Sequence, residues 1–540
     1  MKDVTDKTAA EADFIIVGGG SAGCVLANRL SANPAHRVLL IEAGSEDNSL
    51  MVSMPKGFGK LLFDTRHVRR FATEPEAGSG GQSESWPRGM MLGGSSAVNG
   101  MFYTRGQPRD YDDWAAQGAS GWSWADIGRC FKQMEDHTLG EDELRGAGGP
   151  LHVSTHPNPH PLCEAVIEAG VQSGLQRKDD INRIDQEGIG YITSTIKDGR
   201  RVSAASAFLE PIRRRPNLRI CSGTLVEKIN FDGSRAVGLT CSSGGRRWEV
   251  RAAREVIVCA GTLQSPQLLQ LSGIGAAGHL RSLGLAVISD VPGVGQNLRE
   301  HRMLFVQRRI RQPLSLNREF SGARLGLNVA KYLLSRKGLM ATGSHDVVAF
   351  VKTSPELDRP DAEVVMAPFS LKPGALSMAF EKEHGIQFFG YQLRPESQGS
   401  VLIKSADPLV APEIRPNYLS AEADRRAGAA ILRYIRELCG KPALRPYLLE
   451  ETAPGPSVQT DAEVLDYHQR FGSAVYHTAG TCKMGNDPLA VVDAHLRVRG
   501  VQGLRVADCS VMPTLVSAHT NGPVMAMAWR AAELILEDAA

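Results

Sequence analysis

A chain of 540 residues is longer than a single hydrophobic core usually organises, so two or more structural units are expected. A formal net charge of +2, with 42% hydrophobic and 22% charged residues, offers no basic surface for nucleic acid and describes an ordinary globular protein. Nine scattered cysteines without a C-x-x-C pair form no disulfide framework, the N-terminus is polar, and no run approaches the roughly 20 apolar residues of a membrane span. We read a cytoplasmic protein without an integral membrane segment, and leave peripheral contact with a membrane open.

The first predicted element is a buried parallel strand over Phe14–Val17. It runs into G-x-G-x-x-G at Gly18, Gly20 and Gly23, then a helix over Ala22–Leu30, then a second strand ending on Glu42. Gly18 permits the tight turn, Gly20 lets backbone approach a pyrophosphate, and Gly23 lets helix pack on strand. The helix N-terminus favours phosphate, and Glu42 is placed to accept from the adenosine ribose hydroxyls. Strand, helix, second strand and acid in that order predict a dinucleotide site.

A nicotinamide enzyme would continue in regular βα units, whereas the sequence turns irregular after Gly44. The stretch Trp86–Gly106 packs Gly93–Ala97 and Gly100 around Val98 and Asn99. It reads either as a loop pressed against a flat ligand or as a glycine-rich surface loop. Glu255–Gly261 and Leu504–Asp508 are short buried-strand runs ending in small-residue turns, and "SVLIKSADP" from Ser400 alternates like a strand. Near Glu451 a loop enters the helix "DAEVLDYHQRFG", with Thr460 or Asp461 as its cap. Two histidines follow in small-residue turns: His477 in "YHTAGTCKMG" and His519 in "SAHTNGP". A zinc site from His477, Cys482, His495 and Cys509 fits no familiar spacing, and no metal is expected.

Five blocks together resemble the glucose–methanol–choline (GMC) flavoprotein oxidoreductases: the N-terminal unit, "PRGMMLGGSSAVNGMFYTRG", "GTLQSPQLLQLSGIG", "VPGVGQNLREH", and the C-terminal region through "YHTAGTCKMG" to "SAHTNGP". They span nearly the whole chain in the family's order, and look most like the bacterial choline-dehydrogenase-like alcohol dehydrogenases. Met90 departs from the family's usual basic or small polar residue. The resemblance implies an α/β protein with a Rossmann-type FAD-binding domain and an α+β substrate part, an antiparallel sheet flanked by helices. The expected division is 1–155, 201–311 and 471–540 for FAD, and 156–200 and 312–470 for substrate.

It implies non-covalent FAD, because Val98 stands where some relatives carry a flavin-tethering His. Gly18, Gly20, Ser21, Ala22 and Gly23 would meet the pyrophosphate and Glu42 the ribose. Gly94, Ser95, Asn99, Gly100 and Met101 would approach the pyrophosphate and isoalloxazine, Val226 the adenine with Ala260 and Gly261 nearby, and Asp508 and Asn521 the C-terminal side. His301 would cap or pack under the flavin. Alcohol oxidation needs the O–H proton removed and a hydride passed to flavin N5, and a neutral imidazole is the natural base. His477 and His519 are the implied catalytic pair, with Tyr476 facing the substrate. The expected partners are a small alcohol and an electron acceptor other than oxygen. An oxidase producing hydrogen peroxide, or a non-redox flavin-containing lyase, are the alternatives.

Overall fold

The computed structural model describes residues 11–46, 49–155, 159–372 and 379–539. Two seven-stranded sheets organise the chain. In the first, strands run in the order Leu218–Cys221, Val38–Ile41, Glu11–Val17, Arg246–Val258, Arg235–Ser243, Leu225–Asp232, with Leu504–Val506 added beside Val258. The first four are mutually parallel and Leu504–Val506 joins them in parallel. The last two form an antiparallel meander whose two-residue turns use Gly233 and the Gly244–Gly245 pair at positive φ.

The continuous apolar run Phe14–Val17 is buried because the parallel strands are enclosed by helices, among them Ser21–Leu30 and Asn521–Ala539, which pack on each other. The predicted first strand, helix and second strand therefore all form, as do the strands ending near Val258 and Val506.

The second sheet is antiparallel, in the order Leu448–Ala453, Arg302–Ile310, Gly385–Gln392, Ala362–Ala367, Val347–Val351, Gly188–Tyr191, with Ser473–Ala474 added beside Arg302. Alternation sorts its two faces. Ala349, Val364 and Phe388 pack beneath the helices Pro161–Gln172 and Glu422–Gly440. Val348, Val365, Phe389 and Tyr391 pack on the opposite side with Phe102.

One expected boundary shifts. Arg302–Ile310 belongs to the antiparallel sheet, so a boundary at 311/312 cuts off its second strand. "SVLIKSADP" forms a strand as read, and Ser400–Leu402 pairs with Glu413–Arg415 in a ribbon separate from that sheet. The helix Asp461–Phe471 forms as read, with Thr460 Oγ1 accepting from Glu463 N and Glu463 reaching back to Thr460 N. Among the described residues no helix is long and apolar enough to cross a membrane.

Candidate active site

A cavity of about 1460 Å³ runs between the sheets. The glycine turn lines one end. Gly18 has φ +104°, and a Cβ there would stand 2.4 Å from the Cys259 carbonyl oxygen. A Cβ on Gly23 would stand 1.9 Å from Gly18 O, whereas one on Gly20 meets nothing within 4 Å and would project into open space. Ser21 Oγ donates to Asn521 Oδ1 at 2.8 Å, which ties together the N-termini of the first and last helices. Asp508 accepts from Gly261 N at 2.9 Å and Ser265 Oγ at 2.6 Å, fixing a third helix N-terminus beside them. Three positive dipole ends and an unobstructed Gly20 fit a pyrophosphate.

Glu42 is buried at the same end, its carboxylate accepting from Gly19 N at 2.8 Å and Gly44 N at 2.7 Å. Burial pushes its pKa up, and the two N–H donors oppose that shift. Ala22, Val226 and Ala260 also line the cavity.

The loop after Trp86 forms the middle of the cavity. Gly94–Ala97 makes one 3₁₀ turn, and Ser95, Asn99, Gly100 and Met101 line the space together with Met90. Asn99 Oδ1 accepts from Met101 N at 3.0 Å and from Arg201 Nη1 at 2.8 Å. Arg201 is buried and grips the carbonyls of Val52, Ser96 and Asn99, and burial lowers its pKa to about 9. Sequence reading missed this arginine, which holds the cavity wall from behind.

At the far end His477 and His519 meet, ring centroids 4.7 Å apart at 75°. His477 N donates to Glu300 Oε1 at 2.7 Å. The His477 Nδ1 lies 3.0 Å from Nδ1 of His301, whose Nε2 lies 2.8 Å from the Leu393 carbonyl. A carbonyl only accepts, so His301 carries its hydrogen on Nε2. Burial lowers the pKa of His301 to about 4, so its ring is neutral at pH 7 and Nδ1 holds a lone pair. His477 Nδ1 must then donate, which leaves the His477 lone pair on Nε2. His301 stacks on Tyr391 at 4.8 Å as a packing residue does, and it is also the hydrogen-bond partner that sets the His477 tautomer.

His519 N donates to Thr104 Oγ1 at 2.9 Å, and the same hydroxyl lies 3.4 Å from His519 Nδ1. The tautomer in which Nδ1 accepts from this hydroxyl carries its hydrogen on Nε2, and in that form His519 would present a donor where His477 presents an acceptor. Both imidazoles are held well below their ordinary pKa, chiefly by burial; His519 and His301 lower His477 further, and His301 and His345 lower His519.

Glu363, also missed in the sequence, lies fully buried with Oε1 3.7 Å from His519 Nε2. Register explains its place: it sits directly opposite Tyr391 on one side and Phe350 on the other, on the sheet face turned to the cavity. Burial raises its pKa to about 8, partly offset by Tyr391, so it is predominantly protonated at neutral pH and adds no charge beside the imidazoles. That stabilisation is full below the unfolded value of 4.5 and is lost as pH rises through about 8. Glu363→Gln is therefore expected to lose less thermal stability than the parent between about pH 6 and pH 9. Equal losses in scans at both pH values would show that this carboxyl does not titrate as described.

Phe102 meets His519 edge-on at 4.5 Å, and His345 links Phe102 to Phe389 at 5.7 and 5.0 Å. Tyr476 lines the cavity at φ +67°. Cys482 is buried with its thiol pKa raised by burial, the environment of a packed thiol rather than a nucleophile. His495 stands apart, paired with Asp538 at 3.1 Å. Among the described residues no group of three or more His, Cys, Asp or Glu side chains is arranged to hold a metal.

The N-terminal GMC oxidoreductase family model matches residues 12–303, and the C-terminal one matches residues 395–528. The chain is a GMC oxidoreductase. It is 41% identical over 531 residues to the oxygen-dependent choline dehydrogenase of Brucella suis biovar 1, covering 97% of this chain and 96% of that one. The enzyme of the same name from Vibrio vulnificus is 40% identical over 530 residues, covering 97% and 94%. The crystal structure of pyridoxine 4-oxidase from Mesorbium loti superposes with a TM-score of 0.88 at 32% identity, covering 97% and 99%. An FAD-dependent oxidoreductase from Chaetomium thermophilum superposes at 0.89 and 27%, covering 98% and 99%. This GMC oxidoreductase is an enzyme of alcohol oxidation, and FAD is its cofactor. The glycine turn, Glu42 and the three helix N-termini suit the adenosine and pyrophosphate half of FAD, and the loop through Asn99 and Met101 leads from them to the histidines.

Proposed function

We propose that the enzyme oxidises a primary or secondary alcohol to the aldehyde or ketone and passes the electrons to an acceptor other than oxygen. The observation that carries the chemistry is the tautomer chain Leu393–His301–His477, which leaves a neutral imidazole with its lone pair at Nε2. His477 Nε2 takes the hydroxyl proton, while His519 Nε2–H donates to the same oxygen and orients it. Bound FAD supplies the hydride acceptor. Thr104 and Glu300 hold the two histidine backbones in place. Phe102, Phe389 and His345 form aromatic walls next to His519, which suits an alcohol with an apolar or aromatic body. Choline, the substrate in the names of the Brucella and Vibrio relatives, would instead place its ammonium over those rings.

Anaerobic bleaching of the flavin band by benzylic, aliphatic and choline substrates tests this reading. Bleaching that persists until an artificial acceptor is added supports it. A second reading, an oxidase, is favoured by the "oxygen-dependent" relatives and by the likeness to pyridoxine 4-oxidase. Rapid recovery of colour in air would select it. Failure of every alcohol to bleach the flavin would remove both and leave the lyase alternative.

The flavin is held without a covalent bond: Val98, buried in the 86–106 loop, offers no nucleophile. Acid precipitation should leave the yellow colour in the supernatant, and a yellow pellet would refute this.

A further inference from the structure

We propose that the helix Gly322–Ser335 docks this protein onto an anionic lipid surface. The helix lies outside both sheets, and of its fourteen residues only Tyr332 is buried. Leu325, Val329 and Tyr332 form its inner face, packed with Met54 and Met340. The outer face of a surface helix is ordinarily polar. Here the outward positions, spaced four, three and four apart, are Ala323, Leu327, Ala330 and Leu334. Leu327 is 71% exposed and Leu334 88%, with Leu333 beside them at 49%. The turn Leu339–Ala341 after this helix packs against Pro55–Gly57, so the helix is held to the body of the protein with its outer face left open. Such a cluster of large apolar side chains marks a surface that something covers.

Charge identifies the occupant. Between Gly322 and Gly338 there are four cations, Arg324, Lys331, Arg336 and Lys337, and no acid. Arg324 is paired with Glu319 at 2.7 Å. Lys331 and Lys337 are exposed and form no salt bridge among the described residues. A second copy of the chain would set these cations against their own equivalents. An anionic bilayer instead receives the leucines at the acyl boundary and the ammonium groups among its headgroup phosphates.

The test is flotation of the FAD-loaded protein with vesicles of phosphatidylcholine containing phosphatidylglycerol, against vesicles of phosphatidylcholine alone. The parent is expected to float with the anionic vesicles and to bind them at least about tenfold more tightly than the neutral ones. Leu327→Glu with Leu334→Glu should weaken binding to anionic vesicles roughly tenfold or more. Lys331→Glu with Lys337→Glu should remove the preference for anionic lipid. Both variants change exposed positions, and circular dichroism together with turnover of a water-soluble alcohol should match the parent. A parent that stays with the unbound fraction overturns the proposal. So does a leucine variant that floats as well as the parent. A parent oligomer that the leucine variant dissociates, measured by light scattering without vesicles, assigns the face to a second copy instead and also overturns it.

Discussion

His477→Ala is expected to slow anaerobic reduction of the bound flavin by alcohol roughly 10²–10⁴-fold, the contribution of a positioned general base. The substitution removes the imidazole whose Nε2 lone pair is fixed by the Leu393–His301 chain. Nothing at the glycine turn touches it, so flavin content should match the parent. His519→Asn should cost less, because an amide N–H still reaches the alcohol oxygen. Stopped-flow rates of the reductive half-reaction decide between them. A larger loss in His519→Asn would exchange the two roles. Unchanged rates in both variants would make the pair structural and remove the mechanism.

Glu42→Ala should lower the fraction of enzyme that retains FAD while sparing the reduction rate of molecules that keep it. A hydrogen bond to a charged group contributes about 1.5–3 kcal/mol, so affinity should fall roughly ten- to a hundredfold. Two effects would add: the acceptor expected for the ribose is removed, and Gly19 N and Gly44 N lose the carboxylate that holds their turn. The flavin-to-protein absorbance ratio after gel filtration measures this. Equal ratios in variant and parent would withdraw the ribose contact. A variant that keeps FAD but reduces slowly would move Glu42 from binding to chemistry.

Much of the glycine turn was legible because its requirements are local. Gly18 and Gly23 answer steric demands set by backbone close to them, Gly20 keeps the space in front of the turn open, and the spacing to Glu42 follows from one helix and one strand. The histidines were legible only through resemblance, since nothing in "YHTAGTCKMG" states what stands opposite His477. Its partner His301 lies 176 positions away, and a histidine beside an acid in "REH" reads as packing until that pairing is seen.

Glu363 was illegible for a related reason. The strand "AEVVMA" is buried on both faces, so its single acid has no outward side, and only the register against Tyr391 shows that it faces the cavity. The alternation of "SVLIKSADP" announced a strand correctly but could not say which strand it pairs with.

The link between Ser21 and Asn521 joins positions 500 residues apart. Synthesis runs from the N-terminus at about 5–20 residues per second, so the opening strand, turn and helix wait roughly 25–100 seconds for their counterpart. The strand Glu11–Val17 waits as well for Arg246–Val258, which must pair along its edge. The nucleotide pocket is therefore among the last features completed in a nascent chain. A ribosome that stalls before the final helix leaves a polypeptide with every glycine of its fingerprint in place and one wall of the pocket missing.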